Sequence, residues 1–239
     1  MLIIITIATF ISTFLGGLFA LKFKDKLHLI LGFSAGAVIA VAFFDLMPEA
    51  IKLGTDKFNI SVITSVIALG FVIYMILDRF ILLHTHCDEG EEHLCPRGQL
   101  GAGTLSIHSF LDGLAIGFAF QVSTAVGIIL TVAVLTHDFS DGINTVNIIL
   151  KNNGDKKDAF RWLLVDAIAP VLGIIVTLFF TLSAGTLGIL LALFAGFFLY
   201  IGACDLLPES HHAHPTFWTT FMTVLGVLVL FGAIKLAGV

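Results

Sequence analysis

The sequence predicts an all-α polytopic membrane protein with eight transmembrane helices. Three observations carry this. Of 239 residues, 58% are hydrophobic and only 12% are charged, with a mean hydropathy of +1.05, far more apolar surface than a soluble domain of this length can bury. The apolar residues gather into eight runs, each near the ~20 residues that cross a hydrocarbon core. And one segment recurs. Ala35-Gly36 followed by Asp45-Leu46-Met47-Pro48-Glu49 returns as Ala195-Gly196 followed by Asp205-Leu206-Leu207-Pro208-Glu209, with an offset of 160 at every matched position.

The runs cover roughly 2–21, 28–50, 59–83, 102–121, 124–149, 160–182, 186–208 and 217–237. The first has the length of a secretory leader. It lacks a basic start and a small-residue cleavage site, and Lys22, Lys24 and Lys26 follow it. That order favours a retained span whose far end is cytoplasmic. The second and seventh runs hold the two copies of the repeat. Spans 4 and 5 are joined by a short uncharged turn at 121–124, and spans 6 and 7 by another at 183–185. Polar clusters at 22–26, 52–58, 84–99, 151–158 and 209–215 mark the remaining breaks. Residues 1–239 form a single transmembrane domain with no separate soluble part.

Orientation follows the distribution of Lys and Arg. With the N-terminus outside, the inner loops hold Lys22, Lys24, Lys26, Arg79, Arg97, Lys151, Lys156, Lys157 and Arg161, against Lys52, Lys57 and Lys235 outside. The expectation is a multi-pass protein of the cell (inner) membrane with both termini outside. Spans 2 and 7 are an odd number of spans apart, so the repeat is inverted in the membrane. Spans 1–3 and 6–8 are the two repeats, around spans 4–5. Asp45 and Glu49 then lie near the outer face, and Asp205 and Glu209 near the inner face. The simpler alternative is that Leu-x-Pro-Glu ends two apolar helices independently; the matching Ala-Gly pair and Asp argue against it.

Several function classes drop out early. A net charge of −5 gives no footprint for nucleic acid. Three cysteines, Cys87, Cys95 and Cys204, make no disulfide framework.

The chemistry lies inside the spans. His108-Ser109-Phe110-Leu111-Asp112-Gly113 and His137-Asp138-Phe139-Ser140-Asp141-Gly142 each hold a His and an Asp four residues apart, on one helix face. Asp45, Asp112, Asp138, Asp141, Asp166 and Asp205 all fall within spans, and no Lys or Arg lies deep in any of them. An aspartate at a helix centre costs roughly 2.5–3.5 kcal/mol on insertion, so Asp112, Asp138 and Asp141 together cost on the order of 8–10 kcal/mol. With no fixed cation, these carboxylates are protonated, hydrated or neutralised by a cation from solution. Two neighbouring imidazoles favour a divalent metal such as zinc, iron or manganese. A lone intramembrane His is often only a hydrogen-bonded structural residue, but two His-x-x-x-Asp pairs on consecutive spans exceed that expectation.

Counting from the turn at residues 122–123, His108 and His137 sit at equal depth. Asp112 is expected about one turn outward and Asp141 about one turn inward, giving a ladder of ligands. Asn144, three residues beyond Asp141, extends the same face. Gly113 and Gly117 allow close helix approach. Asp166 lies four residues before Pro170, which frees the Asp166 carbonyl and bends the helix. This is either a ligand site or a helix-end residue. The loop from His84 to Cys95 mixes His, Cys and acidic residues without zinc-finger spacing. It is either a weak metal collector or a solvated acidic loop, and the same choice applies to His211, His212 and His214.

These residues resemble a known family. The motif from His108 to Gly113 is similar to the fourth-span motif of the ZIP family of divalent metal transporters, in its prokaryotic, GufA-like form. The motif from His137 to Gly142 resembles the fifth-span motif. The family has Asn where Ser109 stands, Pro at Ser140, His at Asp141 and Glu at Gly142. The resemblance implies transport of zinc, and also iron, manganese or cadmium, into the cytoplasm. It implies metal binding by His108, Asp112, His137, Asp138 and Asp141, and a homodimer. With Asp166, these are the expected metal residues. Ser109, Asn144, Asp45, Glu49, Asp205 and Glu209 are the expected pathway residues. The expected partners are the metal cargo and membrane lipid, with no organic cofactor and no enzymatic activity. An intramembrane metal-dependent hydrolase and a metal exporter or sensor are the other classes that such ligands would serve.

Overall fold

The computed structural model describes residues 2–21, 27–83, 96–152, 154–212 and 217–237. Lys22, Lys24, Lys26, the loop 84–95 with Cys87 and Cys95, and His214 lie outside the described residues, as do the side chains of Glu209, His211 and His212. Among the described residues every regular element is helical, and eight helices are long and apolar enough to cross a membrane.

Helix α1 spans Leu2–Ala20. Helix α2 runs as α-helix over Leu27–Val41, as π-helix over Ala42–Leu46, and as α-helix again over Met47–Gly54. Then come α3 (Ile60–Leu83), α4 (Pro96–Val122), α5 (Thr124–Lys151) and α6 (Lys156–Thr177). Helix α7 repeats the plan of α2, with Ala184–Tyr200, a π-helical stretch at Ile201–Leu206, and Leu207–His212. Helix α8 is Phe217–Ala237. Both π-helical stretches end on the leucine that follows the repeated aspartate, two residues before the proline. Proline has no N–H to close an α-turn, and a wider turn at that place absorbs the missing bond.

The helices are capped from polar flanks, which moves several ends away from the apolar runs. Asp155 accepts a hydrogen bond from the Asp158 N–H (2.7 Å), so α6 starts four residues before residue 160. It ends at Thr177 rather than 182. The Gln121 amide donates to the carbonyls of Thr177 (3.1 Å) and Phe180 (2.7 Å), and its oxygen accepts from the Leu182 N–H (3.3 Å). This satisfies backbone groups the helix leaves unpaired. Ser123 caps α5, and Ser183 caps α7.

Packing divides the bundle into two groups of four. Helices α1, α4, α5 and α6 pack mainly on one another, and so do α2, α3, α7 and α8. In the first group, a Cβ at Gly113 would strike the Pro170 carbonyl and one at Gly173 the Phe110 carbonyl, so α4 and α6 touch backbone to backbone. Gly16 and Gly142 do the same for α1 and α5. The groups meet chiefly where α2 lies on α5, with smaller contacts of α4 with α3 and α7. Large apolar side chains such as Ile7, Leu69, Leu172 and Leu228 stay exposed, as suits a surface facing lipid.

Candidate metal centre

His108 and Asp112 come from α4, and His137 and Asp141 from α5. All four are buried, at most 3% exposed, and one ligand atom from each lies within 4.8 Å of the others. His108 Nε2 is 3.1 Å from Asp112 Oδ2 and 3.5 Å from Asp141 Oδ2. His137 Nε2 is 3.1 Å and 3.9 Å from the same two atoms. The imidazoles face one another at 5.5 Å between centroids.

The expected ladder is therefore wrong in one respect: the four groups form a single cluster. The cause is side-chain direction. Helical side chains lean toward the N-terminus of their own helix. The turn at Ser123 makes α4 and α5 antiparallel, so Asp112 leans back toward His108 and Asp141 leans back toward His137. Both carboxylates converge on the level of the imidazoles.

The polar bonding of the cluster is incomplete. His137 Nδ1 lies 3.0 Å from the Ala133 carbonyl. A carbonyl only accepts, so Nδ1 carries a proton, which turns Nε2 toward the carboxylates. His108 Nε2 and Asp141 Oδ2 have no hydrogen-bond partner despite their close neighbours. A tetrahedron with zinc bonds of about 2.0–2.1 Å has edges of about 3.3–3.4 Å; the four separations given above fall on either side of that.

The other expected metal residues, Asp138 and Asp166, are not among these four. Asp138 is fully buried, and neither of its oxygens has a hydrogen-bond partner. Asp166 lies inside α6 and is fully buried, not at a helix end. It accepts from the hydroxyls of Ser109 and Thr145, each at 2.8 Å, and so joins α4, α5 and α6. Asn144 is half-buried and outside the four-residue group. Asp45 is fully buried with both oxygens unpartnered. Glu49, 6% exposed, pairs with Lys52 at 3.2 Å. Asp205 is exposed.

Some neighbours of the site carry no motif in the sequence. Tyr74 of α3 packs its ring edge-on to His108 (5.9 Å, 89°), and Phe198 of α7 packs edge-on to His137 (5.6 Å, 80°). Thr145 and Ser34 are single hydroxyls in apolar runs. A list of every buried-span hydroxyl would have included them, but would not have ranked them.

A family profile described as "ZIP Zinc transporter" matches residues 96–237, the part that holds both His/Asp motifs. The chain is 26% identical over 247 residues to "Zinc transporter ZupT" of Corynebacterium aurimucosum, covering 95% of this chain and 92% of that one. It is 30% identical over 122 residues to "Zinc transporter foi" of Drosophila melanogaster, and 33% identical over 107 residues to "Zinc transporter ZIP10" of Homo sapiens. Those two alignments cover 51% and 44% of this chain but only 17% and 13% of the animal proteins, so the chain spans under a fifth of their length.

Proposed function

The chain belongs to the ZIP zinc transporter family, and from that premise we propose that it carries divalent metal cations, zinc foremost, across a membrane through the cluster of His108, Asp112, His137 and Asp141. The observation that carries the proposal is the convergence of two imidazole nitrogens and two carboxylate oxygens deep in the bundle, with no Lys or Arg deep in any span to balance them. Buried charges of one sign are costly without a counter-ion, and a travelling cation supplies one. Two nitrogens and two oxygens suit zinc, and leave room for iron, manganese or cadmium.

Asp138 is the carboxylate beside the cargo, with unpartnered oxygens free to join its coordination. Asp166 is the acceptor that fixes Ser109 and Thr145, and through them the two ligand-bearing helices. Metal reaches the cluster past Asp45 and Glu49 and leaves past Asp205 and Glu209 into the cytoplasm of a cell whose inner membrane holds the protein with both termini outside. The inverted-repeat arrangement is supported by the two π-helical stretches, which fall on the two copies of the repeated segment. It is supported again by the pairings of α2 with α8 and α7 with α3, and of α1 with α5 and α6 with α4, which exchange when spans 1–3 are swapped with 6–8 and span 4 with span 5. Movement of the α1/α4/α5/α6 group against the other exposes the site to each side in turn. A homodimer is the assembly the family suggests.

The direct test is zinc uptake by the purified protein in liposomes. Wild type carries zinc, and Asp112→Ala and Asp141→Ala do not; full transport by both variants would remove the site. Tracer flux in oriented vesicles fixes the direction. Uptake falls on acidification, because protons compete with the metal for the same nitrogen and oxygen lone pairs.

A further inference from the structure

We infer that Ser34 is a positioning residue for the cargo site: its hydroxyl clasps the α5 turn that carries His137 and Asp141, ties the two helix groups together in this conformation, and must let go when they move. The inference rests on the transport reading above.

Ser34 lies on α2 and is fully buried. Its Oγ is 2.8 Å from the Thr136 carbonyl and 3.0 Å from the Ser140 hydroxyl. A carbonyl only accepts, so the single Ser34 proton is donated to Thr136, and Ser140 donates in turn to Ser34. Thr136 directly precedes His137, and Ser140 directly precedes Asp141. Both cargo residues of α5 are therefore backed, one position away, by a bond to the opposite helix group.

The other cross-group contacts at the site differ in kind. Tyr74 on His108 and Phe198 on His137 are ring-edge contacts, which tolerate sliding. The Ser34 bonds are directional and buried, so they favour one register. The clasp also has no counterpart in the second repeat. The position 160 residues on is Phe194, an apolar residue 3% exposed. A hydroxyl pair present on one side only favours one of the two conformations that the repeat would otherwise make equivalent.

The test uses the full chain with Cys87, Cys95 and Cys204 replaced by serine, in liposomes. The two hydroxyl oxygens are 3.0 Å apart, so the two side chains face one another, as a cross-link requires. In Ser34→Cys with Ser140→Cys, oxidation should lower zinc uptake at least about tenfold, and reduction should restore it, which also shows that the variant folds. In a second arm, a reporter cysteine replaces the buried Ala50, and labelling by a membrane-impermeant maleimide is timed. Ser34→Ala should raise the labelling rate about three- to tenfold, as loss of one or two buried hydrogen bonds implies. Ser34→Thr should return the parent labelling rate. Equal uptake by oxidised and reduced protein, or unchanged labelling in Ser34→Ala, overturns the clasp. If the cysteine-free parent carries no zinc, the transport reading fails, while the labelling arm, which needs no cargo, still decides the clasp.

Discussion

Two stretches of the chain share a sequence and differ in their surroundings. Asp45 and Asp205 occupy the same place in the repeated segment, each at a π-helical turn just before a Pro-Glu pair. Asp45 is fully buried with both oxygens unpartnered. Asp205 is exposed. Local chemistry therefore does not decide exposure here; helix packing does. The same residue in the same local sequence is thus packed away in one copy and left at the surface in the other.

The contrast matters only if the cluster between the two copies holds the cargo, and the largest expected effect tests that link. Asp112→Ala should reduce zinc uptake by at least about a hundredfold, beyond the roughly ten- to hundredfold lost on removing an outer partner of a metal ligand. Retained uptake would leave the two copies flanking nothing. Next in size is accessibility. Cysteines placed at Ala42, buried in α2, and at Ala203, exposed in α7, should differ at least about tenfold in maleimide labelling, since the buried site reacts only through opening. Equal rates would erase the distinction.

Asp166 sharpens it further, as a buried carboxylate that does have partners. Asp166→Ala strands the Ser109 and Thr145 hydroxyls and should destabilise the protein by about 1–3 kcal/mol, read as a lower denaturant midpoint. Asp166→Asn keeps an acceptor and should lose less. The smallest effect belongs to Lys52, whose side chain is 74% exposed where it meets Glu49. Lys52→Ala should change stability by no more than about 0.5 kcal/mol, as for exposed ion pairs in general.

Much of this was visible in the chain. The eight spans follow from apolar runs, and the pairing of His108 with Asp112 and His137 with Asp141 follows from helical spacing. The sequence groups Asp138 with Asp141 among the expected metal residues; Asp138 is only one residue from His137 and so about 100° around the helix, and it falls outside the group of four. Other features are tertiary. The collapse of the ladder into a cluster depends on two helices running antiparallel. Asp166 finds its partners on two other helices, and the burial of Asp45 depends on how α2 packs. Ser34 has no neighbour in sequence that marks it, because Thr136 and Ser140 lie about a hundred residues away.

The central claim is that His108, Asp112, His137 and Asp141 together hold the metal cargo. Zinc-edge X-ray absorption of the protein loaded with one equivalent of zinc tests it most directly. The account predicts two imidazole nitrogens and two carboxylate oxygens at about 2.0–2.2 Å, with that signature lost in the Asp112→Ala, Asp141→Ala double variant. A sulfur-containing shell, or an unchanged spectrum in the double variant, would contradict it.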